Sequence, residues 1–352
     1  MMRLTRRTSL FSLLALVLSA SLAQADPVDD FVKAQMERFH IPGLSLAVVK
    51  DGRVVKTEGY GLANVELDTP ATAYTIFKIG SVSKQFIATG IMLLAEDGRV
   101  GLDDPVSKYL EGTPPSWAPI TLRHLLTHTS GILREAPGFD PFKIQSDAEV
   151  VASAYPVPLR FPPGTKWEYC NTAYFALAEI VRRVSGQPWA DFLQARVFGP
   201  SGMTDTRQTE PMTDDPRRAA GYGGKDNTQL AADWPAVRPS GAFLSTVVDL
   251  AKWEAQLPAG TILSEASLKQ MWTPVPLAGG TTHLYGFGWE LHEVAGRRHI
   301  GHGGSMPGFR SVFSRFPDDH LTVIVLINAE DVDRGSIVAG IAALYLPAAV
   351  SK

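Results

Sequence analysis

Strand-forming segments lie near both ends of this 352-residue chain, and a long region of helical character separates them. Near the N-terminus, the β-rich segments 44–49 and 54–60 flank Asp51-Gly52, a pair typical of a tight hairpin turn. Three segments near the C-terminus predict consecutive antiparallel strands: 299–300, 311–316 and 321–327. This arrangement predicts an α+β fold of the α/β-sandwich type, with one antiparallel sheet built from both chain ends and flanked by helices.

Helical patterns dominate the middle of the chain and predict an inserted, mostly helical domain. Apolar spacing and helix start and stop signals predict five helices: 28–39, 81–98, 121–128, 172–184 and 334–345. We therefore predict three parts: a leader at 1–25, a sheet domain at 26–85 plus 235–352, and a helical insertion at 86–234. A cleft between two such domains is a common place for a ligand site.

The first 25 residues predict a secretory signal peptide. Three arginines precede an apolar segment at 10–20, and Ala23-Gln24-Ala25 has the small-x-small form of a cleavage site. The apolar segment has eleven residues, whereas a membrane-spanning helix takes about 20. We expect cleavage after Ala25, leaving 327 residues of net charge −6 because the leader carries three of the positive charges and the whole chain has −3. The product is expected to be periplasmic or secreted, without a membrane span; Arg6-Arg7 leaves general secretion and twin-arginine export both open.

The composition argues against several other classes of function. An acidic balance with scattered Lys and Arg is not typical of a protein that binds nucleic acid. Cys170 is the only cysteine, which excludes an internal disulfide and a cysteine-based metal cluster. His124 and His128 have zinc-site spacing but lack the acidic residue of the metalloprotease signature, so we expect them to contact protein groups. We predict neither a metal nor a cofactor.

Ser81 is the only serine that is followed by a lysine three residues later, at Lys84. Positions i and i+3 share a helix face, so the amine can reach the hydroxyl. A partly desolvated lysine with a lowered pKa can take the proton of a serine and make it a nucleophile. A pattern this short can also occur by chance, so it needs support from other motifs. The chain lacks the Gly-x-Ser-x-Gly motif of α/β-hydrolases, which excludes that class of serine hydrolase.

Two further motifs carry groups suited to acyl transfer. Tyr169 and Asn171 are two residues apart in an extended or loop segment, where period two directs both side chains the same way. A phenol can relay a proton and an amide can hold a substrate carbonyl; the structural alternative is a loop tyrosine and a helix-capping asparagine. The segment 298–305 contains His302, Gly303 and Gly304, and permits close approach of a substrate main chain; its alternative is a turn with a surface histidine.

Taken together, these motifs resemble those of the serine penicillin-recognising enzymes. The three quoted motifs are Gly80-Ser81-Val82-Ser83-Lys84, Tyr169-Cys170-Asn171 and His302-Gly303-Gly304. That superfamily includes class C β-lactamases, D,D-carboxypeptidases, D-aminopeptidases and β-lactamase-like esterases, and the likeness spans roughly residues 26–346. The resemblance implies the β-lactamase/transpeptidase-like version of the predicted fold.

The resemblance also implies a role for each motif residue. Ser81 would be the acylated nucleophile, and Lys84 and Tyr169 would exchange its proton with the leaving group, with the choice of base left open. Asn171 would orient the acyl part of the substrate. The backbone N–H groups of Ser81 and Ser305 would form the oxyanion hole, and the remaining third-motif residues would line the cleft: His302, Gly303 and Gly304.

Two departures from the family pattern bear on the substrate. His302 stands where most class C β-lactamases have lysine, which weakens binding of a β-lactam carboxylate and favours peptidases and esterases. Arg310 is a candidate for supplying that carboxylate contact instead. Cys170 replaces the usual small residue, and we expect a buried thiol outside the chemistry. Loops at 136–155 and 209–234 are expected to set substrate choice.

The leading functional hypothesis is therefore an exported serine hydrolase that cleaves a small-molecule ester, amide or D-peptide through an acyl-enzyme on Ser81. A penicillin-binding D,D-carboxypeptidase or a slow-turnover penicillin sensor is the alternative, and a β-lactamase is third. The oligomeric state is left open.

Overall fold

The computed structural model describes residues 26–210, 215–236, 238–241, 243–294 and 296–346. The predicted signal peptide lies outside the described residues. The strands are β1 (Gly43–Lys50), β2 (Arg53–Asn64), β3 (Thr69–Pro70), β4 (Phe77–Lys78), β5 (Arg207–Gln208), β6 (Tyr222–Gly223), β7 (Gln229–Leu230), β8 (Phe243–Ser245), β9 (Val275–Pro276), β10 (Thr282–His283), β11 (Glu290–Val294), β12 (Arg297–Met306), β13 (Phe309–Phe316) and β14 (Leu321–Ile327). The α-helices are α1 (Pro27–Phe39), α2 (Lys84–Glu96), α3 (Leu122–Leu126), α4 (Asp147–Ser153), α5 (Asn171–Ser185), α6 (Trp189–Leu193), α7 (Val247–Ala259), α8 (Glu265–Met271) and α9 (Arg334–Tyr345).

The main sheet joins the two ends of the described chain, as the sequence predicts. Its strand order is β11-β12-β13-β14-β1-β2-β3, and its neighbours are antiparallel. The junction is the β1–β14 pair, whose register runs from Leu44 opposite Ile327 to Lys50 opposite Leu321. The predicted α+β fold class is confirmed, whereas the domain boundaries at 85 and 234 remain a prediction.

The predicted hairpin forms at Asp51-Gly52, where both residues have positive φ, 52° and 73°. A tight hairpin turn whose twist matches that of the flanking strands requires two successive residues with positive φ. Along β14, alternate side chains serve two cores. Val323 and Val325 pack with α1 and α9 on one face, whereas Ile324 and Leu326 join the larger core under the helical region. The sheet is therefore covered on both faces, as the sandwich prediction requires.

The predicted helix at 121–128 is wrong in length, because α3 ends at Leu126. Thr127 bonds its hydroxyl to the Arg123 carbonyl and to the Thr129 hydroxyl, and His128 has a positive φ of 62°. A left-handed residue cannot continue an α-helix. The sequence pattern also missed β11, whose Glu and His residues lack the β-branched and aromatic character of a typical strand. Among the described residues, none of the helices has the length and apolar character needed to cross a bilayer.

Candidate active site

The three predicted motifs meet at one open cavity of about 550 Å³. It lies where the start of α2, the start of α5 and strand β12 come together. Six of the eight predicted site residues line it: Ser81, Tyr169, Asn171, His302, Gly303 and Ser305. The other two are not part of this lining: Lys84 is hydrogen-bonded to Ser81 and Asn171, and Gly304 packs against Ile79 and Gly80.

Ser81 lies on a single 3₁₀ turn, Gly80–Ser83, immediately before α2. A 3₁₀ turn has three residues per turn, so residues i and i+3 are superposed along its axis. Lys84 Nζ is consequently 3.1 Å from Ser81 Oγ. The turn is held by Ser83, whose hydroxyl donates to the Gly80 carbonyl and accepts from the Phe243 N–H. The Ser-x-x-Lys spacing therefore brings the amine to the hydroxyl, although the local helix is 3₁₀ and not α.

Lys84 is fully buried, with 0% of its surface exposed. Its Nζ contacts the Asn171 Oδ1 at 2.9 Å and also the Ser240 carbonyl, and among the described residues no carboxylate forms an ion pair with it. Burial, and next the positive charge of Arg238, lower the pKa of Lys84 well below its usual range. A neutral amine has two N–H groups and one lone pair. If the N–H groups of Lys84 donate to the two carbonyl oxygens, the lone pair can accept the proton of Ser81.

Tyr169 stands beside this pair. Its ring centroid is 4.7 Å from Lys84 Nζ and 5.2 Å from the Arg134 guanidinium. Burial raises the pKa of Tyr169, and a hydrogen bond with the Ser81 side chain acts in the opposite direction without cancelling it. Tyr169 therefore holds its proton at neutral pH and can donate it.

Asn171 is the first residue of α5 and is not its N-cap, contrary to the structural alternative. The cap is Cys170, whose Sγ accepts from the Ala173 N–H at 3.3 Å. The thiol is buried as expected, and burial raises the pKa of Cys170 to about 12, so it stays protonated. With the backbone capped by its neighbour, the Asn171 amide is available to the site: Oδ1 accepts from Lys84 and Nδ2 donates to Glu135.

The third motif lies within β12 and packs against the turn that carries Ser81. A Cβ atom at Gly80 would lie 2.5 Å from the Ser305 nitrogen, and one at Gly304 would overlap the Ile79 carbonyl oxygen. Both positions therefore require glycine for the close approach of the two backbones. This contact places the Ser305 backbone next to the Ser81 turn, as an oxyanion hole built from both residues needs.

His302 lines the cavity but is only 2% exposed. Its Nε2 is 3.0 Å from the Tyr285 hydroxyl and its Nδ1 is 2.7 Å from the Gly303 carbonyl oxygen. Burial is the main cause that lowers the pKa of His302 to about 3, so the ring is neutral. The cavity therefore has no fixed positive charge at this position.

Charged residues outside the three motifs complete the cavity wall. Four arginines and three glutamates line it: Arg134, Arg238, Arg310, Arg334, Glu135, Glu290 and Glu330. Glu135 accepts from both Asn171 and Arg238, which are 36 and 103 residues away in sequence. Sequence reasoning missed Glu135 and Arg238, since contacts between such distant loop residues leave no spacing signal. Arg310, which was a candidate from sequence, lies in the wall with Nη1 donating to the Phe309 carbonyl at 2.9 Å.

The Beta-lactamase family model matches residues 28–345, which is nearly all of the described chain. Penicillin-binding protein 4* of Bacillus subtilis is 31% identical over 317 residues, covering 84% of this chain and 70% of that protein. A D-aminopeptidase of Cereibacter sphaeroides is 30% identical over 322 residues, covering 87% of this chain but only 60% of the relative.

Solved structures agree with these relatives. An octameric penicillin-binding protein homologue from Pyrococcus abyssi has a TM-score of 0.79 and 29% identity, over 90% of this chain and 76% of that one. D-amino acid amidase from Ochrobactrum anthropi SV3, in complex with L-phenylalanine, has a TM-score of 0.77 and 26% identity, over 90% and 97% of the two chains. The motifs, the fold and these relatives agree, and the chain belongs to the beta-lactamase family of hydrolases.

Proposed function

We propose that this protein is an exported serine hydrolase that cleaves ester or amide bonds through an acyl-enzyme on Ser81. The observation that carries the proposal is the fully buried Lys84 amine, 3.1 Å from the Ser81 hydroxyl at the wall of an open cavity. A serine needs an adjacent base to attack a carbonyl, and a desolvated lysine is one.

In this mechanism Lys84 takes the proton of Ser81 and Tyr169 passes a proton to the leaving group. The directions of the two pKa shifts favour this division, because burial favours the neutral form of the Lys84 amine and the protonated form of the Tyr169 phenol. Asn171 orients the acyl group from its place beside Lys84. The N–H groups of Ser81 and Ser305 stabilise the oxyanion, and Gly303 and Gly304 let the substrate main chain lie along β12.

Two features of the cavity bear on the substrate. Neutral His302 favours small esters and amides over β-lactams, because no fixed charge at this position binds a carboxylate. Arg310 and Arg334 line the same cavity beside Ser305 and favour a second candidate, a D,D-carboxypeptidase or slow-turnover penicillin-binding protein with an acidic substrate. The penicillin-binding and D-aminopeptidase relatives support both candidates, and β-lactamase activity ranks third.

The first experiment is covalent labelling with a fluorophosphonate, read by intact mass. Wild-type protein is expected to gain one adduct and Ser81→Ala none, because only Ser81 has the Lys84 amine beside it. Ser83→Ala is the matched control: this serine lies two residues away on the same turn and bonds only backbone groups, so its loss is expected to slow labelling through the turn but to leave the adduct in place. Labelling of Ser81→Ala at another serine would contradict the proposal.

A second experiment separates the candidates. An intact-mass time course with benzylpenicillin is run on wild type beside Ser81→Ala. A long-lived adduct on wild type alone would identify a penicillin-binding peptidase or sensor. No adduct and no loss of penicillin would identify an esterase or aminopeptidase, to be tested next on short-chain esters and D-amino-acid amides. Export is tested by the intact mass of the secreted protein, which is expected to begin at Asp26.

A further inference from the structure

Tyr285 lies behind the cavity, between β10 and β11, and connects two of the three motifs. Its side chain is 2% exposed. Its hydroxyl is 3.1 Å from His128 Nε2 and 3.0 Å from His302 Nε2. His302 belongs to the third motif, and His128 receives the Cys170 N–H in the middle of the second motif at 3.2 Å. Three side chains thus form a continuous chain of hydrogen bonds from the Tyr169–Asn171 segment to β12.

The direction of each hydrogen bond is fixed by the two backbone groups at the ends of this chain. The Cys170 N–H can only donate, so His128 Nδ1 is the acceptor and the proton of this neutral ring is on Nε2. At the other end the Gly303 carbonyl can only accept, so His302 carries its proton on Nδ1 and Nε2 is bare.

Only one direction of the two Tyr285 hydrogen bonds satisfies both histidine rings. The Tyr285 hydroxyl accepts from the His128 Nε2–H and donates its own proton to the bare His302 Nε2, while the neighbouring Tyr174 hydroxyl donates its proton to the Leu126 carbonyl. Burial raises the pKa of Tyr285, which keeps the phenol protonated and able to donate. Since both nitrogen atoms of each ring are engaged within the protein, neither histidine has a nitrogen left to exchange a proton with a substrate.

We propose that Tyr285 and His128 are positioning residues for Ser81 chemistry, holding β12 at a fixed distance from the Tyr169–Asn171 segment through the neutral His302 ring. The inference rests on the proposed function for its effect on activity, but the hydrogen-bond directions do not. It assigns His302 a structural role in the cavity wall, in place of a role as acid or base. The oxyanion donor Ser305 lies three residues beyond His302 on the same strand.

The pH dependence of the site follows from the groups around His302. Those that face it are Tyr285, Glu290 at 3.8 Å from Nδ1, Tyr169 at 6.2 Å between ring centroids, His299, Lys84, His128 and Arg334. Burial, and also the positive charge of Arg334, oppose a charge on His302. The Tyr285 O–H adds to this, because donation to Nε2 stabilises the unprotonated nitrogen. Loss of the hydroxyl is therefore expected to make His302 easier to protonate.

The hydrogen-bond directions are tested directly by nitrogen-15 NMR of the wild-type histidines, assigned by single substitutions. His128 is expected as the Nε2–H tautomer and His302 as the Nδ1–H tautomer, both neutral at pH 7. The reverse tautomer at either ring would overturn the proposal. This measurement is independent of catalysis, so a failure of the Ser81 proposal would leave its outcome unaffected.

The effect on the reaction is tested with Tyr285→Phe and a matched control, Tyr222→Phe. Tyr222 is also 2% exposed, and its hydroxyl also has two partners, the Val65 N–H and Glu66, but it does not line the cavity. Both variants lose a buried hydroxyl, so both are expected to be less stable.

Only Tyr285→Phe is expected to slow acylation, by about 10–100-fold, because small displacements of positioned groups cost that much. The acid limb of the pH–rate profile of Tyr285→Phe is expected to move to higher pH, whereas that of Tyr222→Phe is expected to stay in place. An unchanged acylation rate and pH profile in folded Tyr285→Phe would overturn the proposal. Should that variant not fold, the tautomers of the wild-type protein still decide it.

Discussion

Two buried lysines, six residues apart, have opposite surroundings. Lys78 on β4 is 3% exposed and forms an ion pair with Asp233, while its Nζ also donates to the Trp234 carbonyl at 3.1 Å. Lys84 at the start of α2 is 0% exposed, and among the described residues its Nζ contacts only uncharged oxygens. Burial lowers the pKa of both, but much further for Lys84, since the Asp233 carboxylate raises that of Lys78.

The difference explains how one buried lysine can stabilise the fold while another is suited to the base role proposed for it. A buried ammonium is tolerated when a carboxylate neutralises it, whereas without a carboxylate burial favours the neutral amine. Lys78 thereby holds the loop that carries Trp234, a residue of the cavity wall, whereas the surroundings of Lys84 support its proposed role as a base. Such a shifted group in a cleft is the pattern expected of a functional site.

The largest expected effect comes from replacing each lysine by methionine, which keeps the length and removes the amine. Lys84→Met is expected to lower the rate of acylation by about 10²–10⁴-fold, because a proton-transfer group is lost. Lys78→Met is the matched control, a lysine that is also buried but does not line the cavity, and it should slow acylation far less than Lys84→Met. Rates are measured by fluorophosphonate labelling; comparable loss in both variants would mean that Lys84 acts only through packing.

Asp147 extends the comparison to a carboxylate that, within the described part of the chain, has no cationic partner in hydrogen-bond contact. Its partner is the Trp189 Nε1–H, at 2.7 Å, and burial raises the pKa of Asp147 to about 7. A folded-state pKa above the unfolded value means that the folded protein binds more protons, so the free energy of unfolding falls as pH rises from about 4 to about 7. The upper limit is about 4 kcal/mol, from about 1.4 kcal/mol per pKa unit. Urea unfolding of Asp147→Asn should lack this fall, and an identical pH dependence in both proteins would contradict the assignment.

Lys78→Met is expected to have a smaller effect on stability, of about 1–3 kcal/mol, the usual cost of an unpaired charged group. The cost stays in this range because the Asp233 side chain is 36% exposed and remains hydrated when its partner is lost. Lys84→Met should lose less stability, since it removes a polar group that is buried without a counter-ion. Thermal unfolding of the two variants compares them, and a larger loss of stability in Lys84→Met would reverse the roles drawn here.

Sequence reasoning succeeded where a pattern is local. The Asp51-Gly52 hairpin, strand β14 and helix α9 follow from turn chemistry and apolar spacing, and Ser81 and Lys84 are near in sequence. It failed where a contact joins distant segments, as for Glu135 with Arg238, or Tyr285 with two histidines. Such contacts depend on how loops pack in three dimensions, which one sequence does not encode as a period or spacing.

The smallest expected effect concerns Arg310, a charge at the cavity wall that differs from both lysines in being open to a ligand. It is half-buried and anchored by Nη1 bonds to the Met306 and Phe309 carbonyls. An arginine held in this way can bind a substrate carboxylate without further ordering of its own side chain.

Arg310→Ala is therefore expected to lower kcat/KM for a substrate with a carboxylate by about tenfold, the worth of one hydrogen bond to a charged group. The neutral isostere of that substrate should be affected little, since it lacks the group that Arg310 binds. Arg298→Ala is the matched control, because it removes the same charge from β12 at a site paired with Asp318 and outside the cavity. An equal ratio of acidic to neutral kcat/KM in wild type and Arg310→Ala would exclude Arg310 as the carboxylate contact and leave Arg334 as the cation beside Ser305.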